Sequence, residues 1–403
     1  MIVHIQKSTA RGSVSAPPSK SMGHRLLICA ALAEGVSRVR GISDSADMKA
    51  TLGCLDAMGV GYSINGDTVT VRGISMKEAK PKGPLYCNES GSTLRFLIPL
   101  ALLSGNNFLF TGAPSLFRRP MTVYEELCRE RGLFFSRDEQ SAAVKGPITA
   151  GEYHVAGNIS SQFISGLLFT LPLLEGDSTI HIAPPIESRP YIDMTIASLA
   201  IFGVKAVWKD DFTLFIPGNQ RYTPTDAVVE GDYSGAAFLD ALTVLGGDVE
   251  TQGLDPNSLQ GDRVYHRFFP MLSRGTPTIH LGDCPDLGPI LFAVAAANNG
   301  AVFTGTERLR IKESDRISTM AEELAKFGVT VTENDGSVVV YPSNFHAPDT
   351  PLEGHNDHRI VMALSVLLTQ TGGTITGAEA VDKSFPDFFE KLSALGVTLT
   401  KAQ

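Results

Sequence analysis

Cys284-Pro285-Asp286-Leu287-Gly288-Pro289-Ile290-Leu291-Phe292-Ala293-Val294-Ala295-Ala296-Ala297-Asn298-Asn299-Gly300 decides the fold. Residues 287–297 are apolar on nearly all sides, so a helix there has no face for water and is buried. Gly300 follows it and suits the left-handed residue that closes a helix. The pattern recurs in residues 26–33, 94–103, 164–174, 236–245 and 360–368, followed by Gly35, Gly105, Gly176, Gly246 and Gly372. Helix character and closing glycine recur together, which points to a repeated unit rather than ordinary α/β alternation.

Outward from each buried helix the unit continues with a short β-rich stretch and an amphipathic helix. Met48, Leu52, Leu55 and Met58 fall at helical spacing, as do Ile317, Met320, Leu324 and Phe327, and Phe388, Leu392 and Leu395. These second helices end at Gly59, Gly132, Gly203, Gly275, Gly328 and Gly396, spaced by 73, 71, 72, 53 and 68 residues. Hairpins follow, turned by Asn65-Gly66-Asp67 and Asn334-Asp335-Gly336. The expected fold is α/β: six repeats of strand-helix-strand-helix-strand-strand, three per domain, with a boundary near residues 228–231. Pro99 and Pro172 sit late in their buried helices and are expected to kink or shorten them.

The residues before each buried helix carry the chemistry. Lys20, Arg25, Arg95 and Arg359 stand in first turns, where the helix dipole disfavours cations by about 0.3–1 kcal/mol. A bound phosphate or carboxylate would resolve that conflict. Further basic clusters, Arg118-Arg119-Pro120, Ser188-Arg189-Pro190-Tyr191, Arg308 to Arg316 and Lys383-Ser384-Phe385-Pro386, precede second helices. Cations gathered this way would steer multiply anionic small molecules.

Composition narrows the class. The chain has 403 residues, 43% hydrophobic and 19% charged, which suits two folded domains. A net charge of −9 argues against a nucleic-acid binder. No uncharged apolar run reaches membrane-spanning length, and Met1 to Lys7 lacks a signal peptide's apolar core. The five scattered cysteines suit a reducing cytoplasm and free thiols, not disulfides or zinc. His355 and His358 have no third metal ligand spaced nearby, so neither metal nor cofactor is expected.

Pro18-Ser19-Lys20-Ser21-x-x-x-Arg25, Gly91-Ser92-Thr93-Leu94-Arg95, Arg119-Pro120, Ser160-Ser161-Gln162-Phe163, Arg310-x-Lys312-Glu313-Ser314-Asp315-Arg316, Asp357-His358-Arg359 and Lys383-Ser384-Phe385-Pro386 occur in one order. That ordered set resembles the 3-phosphoshikimate 1-carboxyvinyltransferase (5-enolpyruvylshikimate-3-phosphate synthase) family, from about residue 4 to the C-terminus. The resemblance implies a two-domain inside-out α/β barrel, with residues 18–228 on the shikimate 3-phosphate side. Residues 1–17 and 229–403 form the phosphoenolpyruvate side, and the active site lies in the interdomain cleft. It implies transfer of the enolpyruvyl group to the 5-hydroxyl of shikimate 3-phosphate, in aromatic amino acid biosynthesis. The partners are then these two small molecules, not nucleic acid or membrane, and the protein is expected to be a cytoplasmic monomer.

By the same resemblance, Lys20, Gly91, Arg119, Arg316, Arg359 and Lys383 hold phosphoenolpyruvate. Ser21, Arg25, Ser160, Ser161, Gln162, Ser188, Tyr191 and Lys312 hold shikimate 3-phosphate. Asp286 orients or deprotonates the 5-hydroxyl, Glu313 exchanges a proton with the methylene carbon, and Lys20 assists. Glu89 and Arg308 depart from the family pattern, which expects neutral residues there. The rival readings are a UDP-N-acetylglucosamine enolpyruvyl transferase, which should carry a reactive cysteine within residues 113–121, and a non-catalytic anion-binding protein of the same fold. An RNA-end-processing enzyme with a similar repeat is disfavoured by the acidic charge.

Overall fold

The computed structural model describes residues 1–402. It divides into two compact units, Lys20–Val229 and Met1–Ser19 with Glu230–Gln403.

In the first unit the apolar segments form helices Lys20–Leu32, Gly91–Ala101 and Ser161–Thr170, with second helices Ala46–Ala57, Thr122–Glu130 and Arg189–Ile201. Three four-stranded sheets complete it. In the third repeat, strand Glu152–Ala156 pairs in parallel with Ser178–Ala183, as a strand-helix-strand crossover requires. Thr213–Ile216 and Val207–Trp208 then add as an antiparallel hairpin. The sheet of the first repeat takes its first strand from the far end of the unit, where Ala227–Val228 lies parallel to Gly35–Arg40. Leu27, Phe96, Leu167 and Phe169 are fully buried, each contributing about 1.5–3 kcal/mol of apolar burial.

Pro99 lies inside its helix and lacks the N–H that would bond the Arg95 carbonyl. Tyr124 Oη fills that place, donating to Arg95 O at 2.7 Å and reaching Phe163 O at 3.1 Å. The proline therefore frees an acceptor through which a tyrosine pins two buried helices together. Gly166 lets the tyrosine in, because a Cβ there would sit 2.3 Å from Tyr124 Oη. Pro172 acts differently: the α-helix stops at Thr170 and one 3-10 turn, Leu171–Leu173, follows.

The second unit repeats the plan with buried helices Tyr233–Val244, Gly288–Ala297 and His358–Thr371. Its second helices are Tyr265–Arg274, Arg316–Ala325 and Phe388–Ala394. Both chain ends build its last sheet: strand Ile2–Ile5 lies between Gly373–Thr376 and Leu399–Ala402, antiparallel to each. The Met1 ammonium also pairs with Glu379 at 2.5 Å. The fourth repeat is abbreviated. Arg11–Ser15 pairs with Asp248–Gln252 in a two-stranded sheet, and no hairpin follows its second helix among the described residues. Gly275 is extended, with φ 174°, and leads straight into strand Thr278–His280, which accounts for the short 53-residue spacing.

Candidate active site

In the Lys20–Val229 unit, hydrogen bonds tie the starts of the three buried helices together. His24 Nδ1 meets Thr51 Oγ1 at 2.8 Å, Thr51 meets Thr93 Oγ1 at 2.7 Å, and Thr93 donates to Ser90 Oγ, the cap of helix Gly91–Ala101. Arg95 donates to Gln162 Oε1 at 2.8 Å and to Pro120 O at 3.1 Å, with its guanidinium over Phe163. Gln162 in turn donates to Ser92 Oγ at 2.9 Å.

This frame brings Gly91, Arg119 and Gln162 together. A Cβ on Gly91 would sit 3.0 Å from Arg119 Nη1 and 3.6 Å from Gln162 Oε1. Ser160 caps helix Ser161–Thr170 by accepting from Gln162 N, and Ser161 is buried. Arg25 forms a second group: its guanidinium donates to Thr195 Oγ1, Ser21 O and Tyr191 O at 2.7–2.9 Å. Burial brings its pKa down to about 10, with Tyr191 and Cys29 acting the other way. Ser188, in the left-handed region at φ 56°, precedes the helix that carries Tyr191. Lys20 donates to Asp47 Oδ2 at 2.8 Å. Glu89, the departure before Gly91, accepts from Ser115 Oγ at 3.4 Å.

Three of the four first-turn cations are thus met by protein acceptors: Asp47 for Lys20, three oxygens for Arg25, Gln162 and Pro120 for Arg95. For these three the dipole conflict read from the sequence does not by itself require a ligand, whereas the buried Nη1 of Arg359 has no hydrogen-bond partner among the described residues.

The other unit holds a denser cluster. Asp286 lies in the 3-10 turn Pro285–Leu287 that leads into helix Gly288–Ala297, so it is not that helix's cap. Its carboxylate takes Lys312 at 3.1 Å, Arg316 at 2.8 Å and Arg359 at 3.4 Å. Arg316 also reaches Glu313 at 2.7 Å and the fully buried Asp357 at 2.8 Å. Asp357 caps helix His358–Thr371 by accepting from Arg359 N. Lys383 donates to the Asn356 carbonyl at 2.5 Å. Arg308 is buried, with Nη1 3.4 Å from the Gly282 carbonyl.

Burial sets the electrostatics and the neighbours correct it. Burial would raise the Asp286 pKa, but Arg359, Lys312 and Arg316 hold it well below the usual carboxylate value. Burial lowers Arg316, but Asp357, Glu313 and Asp286 keep its guanidinium firmly charged. For Lys312 burial wins: the pKa falls to about 8, with Asp286 opposing the drop and Arg308 and Arg316 adding to it. Burial pushes the Cys87 and Cys284 thiols well up, which suits inert residues.

Asp47 and Asp357 are partners that sequence reasoning missed as site groups. Asp357 stood inside a quoted motif, and an acid before a basic first turn is a usable signal. Sequence spacing also hid a third ligand for His355. Glu322 and Glu323 place ligand atoms within 4.8 Å of one another and of that ring. Lys326 bonds both Glu323 oxygens at 2.9 Å, so an ammonium already occupies that position.

The family described as EPSP synthase (3-phosphoshikimate 1-carboxyvinyltransferase) matches residues 5–274 and 273–392. A 3-phosphoshikimate 1-carboxyvinyltransferase of Clostridium kluyveri is 38% identical over 98% of this chain and 97% of its own length. One of Clostridium acetobutylicum is 40% identical with the same coverage. The EPSP synthase structure from Acinetobacter baumannii superposes with a TM-score of 0.81 at 26% identity, covering 100% of both chains. The enolpyruvyl transferase NikO from Streptomyces tendae, at 16% identity and TM-score 0.79 over 100% of this chain and 99% of its own, shares the fold.

Proposed function

The chain belongs to the EPSP synthase family, and we propose that its two half-sites serve one turnover of that reaction. The enolpyruvyl group of phosphoenolpyruvate passes to the 5-hydroxyl of shikimate 3-phosphate. The 5-hydroxyl oxygen bonds to C2 and gives up its proton as C3 gains one; elimination then removes a proton from C3 and breaks the C2–O bond to phosphate, which leaves with the hydroxyl's proton in the net balance. Both guests are polyanions, so fixed cations must offset their mutual repulsion.

Lys312, Arg316 and Arg359 meeting on Asp286, with Glu313 held on Arg316, is the observation that carries this reading. Arg316, Arg359 and Lys383, with Lys20, Gly91 and Arg119, hold phosphoenolpyruvate. Lys312 holds shikimate 3-phosphate with Ser21, Ser160, Ser161, Gln162, Ser188 and Tyr191, and Arg25 braces Ser21 and Tyr191 for that task. Asp286, kept ionised by three cations, is a weak base suited to accepting a hydrogen bond from the 5-hydroxyl and orienting it. Glu313 exchanges the proton with C3, and Lys20 assists. The protein acts as a cytoplasmic monomer.

The test is phosphate release from phosphoenolpyruvate with two acceptors. Release with shikimate 3-phosphate and none with UDP-N-acetylglucosamine is expected, in keeping with the absence of cysteine from residues 113–121. The reverse preference would reject the reading, and release with neither acceptor would favour a silent anion binder.

A further inference from the structure

Helix Arg316–Ala325 grips the strap of residues 353–357 in two places. At its start Arg316 Nε donates to Asp357 Oδ2 at 2.8 Å. Two turns on, about 10 Å along the axis, the fully buried Glu323 forms the second grip. It accepts from Glu353 N at 3.0 Å, His355 Nε2 at 3.0 Å and Lys326 Nζ at 2.9 Å. His355 Nε2 must carry the proton in this bond, because an ionised carboxylate only accepts.

Between the grips the backbone is strained. His355 and Asn356 are both left-handed, with φ 47° and 53°. Non-glycine residues stay in that region only where their surroundings hold them. The carbonyl of Asn356, the second of the pair, accepts from Lys383 Nζ. Gly354 is packed tightly, since a Cβ there would lie 2.6 Å from Val361 Cγ2. Lys383 is thus held by an acceptor whose direction depends on a turn the chain would otherwise relax.

We propose that Glu323 is a positioning residue: by clamping Glu353 and His355 it holds the left-handed turn whose Asn356 carbonyl sets Lys383 for phosphoenolpyruvate. The inference rests on the assignment of Lys383 to phosphoenolpyruvate made above. Glu323 touches no substrate in this scheme, and its influence runs through the strap alone.

The experiment is a double-mutant cycle on the full chain, read by steady-state kinetics and by binding of shikimate 3-phosphate. Glu323→Gln tests the buried acid. His355→Ala removes one donor from a part-exposed ring and keeps the test open should the buried change prevent folding. Either is expected to raise KM for phosphoenolpyruvate about tenfold, the factor that goes with one hydrogen bond to a charged group. kcat and the Kd of shikimate 3-phosphate should stay within about twofold. In a Lys383→Met background the same change should raise KM by less than about twofold, because the group it positions is gone. An undiminished factor in that background, an equal loss of shikimate 3-phosphate affinity, or no effect of His355→Ala overturns the latch. A Lys383→Met enzyme with unaltered KM would instead remove the assignment of Lys383, and the latch with it.

Discussion

Raising the pH from 7 to 9 should weaken shikimate 3-phosphate binding by discharging Lys312. Its pKa of about 8 in the free protein leaves about 0.9 of the ammonium charged at pH 7 and about 0.1 at pH 9. If only the charged form binds the anion, the apparent Kd scales with the inverse of that fraction and rises about tenfold, or about 1.4 kcal/mol. The ligand's phosphate is already ionised across this range, since its second pKa is about 6. Isothermal titration at both pH values measures the change, and at pH 8 binding should take up about half a proton. Lys312→Arg keeps the charge at all these pH values and should abolish the slope. Stability responds with the opposite sign. Between about 8 and the ordinary 10.5 the unfolded chain holds this proton and the folded one has released it, so the residue favours the fold more as pH rises. Equal affinity at pH 7 and 9, or a slope that survives in Lys312→Arg, would refute the reasoning.

Four further outcomes are expected. Glu313→Gln should lower kcat by about 10²–10⁴ while the Kd of shikimate 3-phosphate stays within about twofold; wild-type-like turnover would take Glu313 out of the proton transfer. Gly91→Ala puts a methyl 3.0 Å from Arg119 Nη1. Thermal stability should hold while KM for phosphoenolpyruvate rises about tenfold, and an unchanged KM would separate Arg119 from that substrate. Asp357→Asn removes a buried partner of Arg316 and should cost about 3–5 kcal/mol, read as a Tm fall of about 6–20 °C. A shift under about 2 °C would mean the pair contributes little. On the proposed assignments each guest draws on groups of both units, so shikimate 3-phosphate with phosphoenolpyruvate should reduce the radius of gyration in small-angle scattering, and an unchanged radius counts against those assignments.

Buried helices were legible because full apolarity over eight or more residues leaves few alternatives, as in residues 287–297. Four of their six closing glycines were legible for the same local reason, with φ 93° at Gly176, 94° at Gly246, 72° at Gly300 and 78° at Gly372; Gly105 is not at positive φ and Gly35 instead opens a strand. Strand partners were not, because pairing joins residues far apart in the chain. Nothing in Ile2-Val3-His4-Ile5 names Gly373–Thr376 as its neighbour. The abbreviated fourth repeat was present as a short glycine spacing whose cause is visible only in the extended backbone at Gly275. At the candidate site, motif residues could be named by type, but their partners were hidden. Asp47 is 27 residues from Lys20, and Glu323 is 32 from His355. Pro99 is the clearest case: a rule-breaking residue whose reason, a tyrosine hydroxyl on the freed carbonyl, lies on another helix.

The placement of strand Ile2–Ile5 bears on how the molecule is made. It is translated some 370 to 400 residues before its two sheet neighbours. The Lys20–Val229 unit is continuous and can complete itself during synthesis. The segment ahead of it must wait as an unpaired edge until those neighbours have been made. At about 5–20 residues per second that wait lasts roughly 20–75 s, the interval in which a nascent chain most needs protection from mispairing.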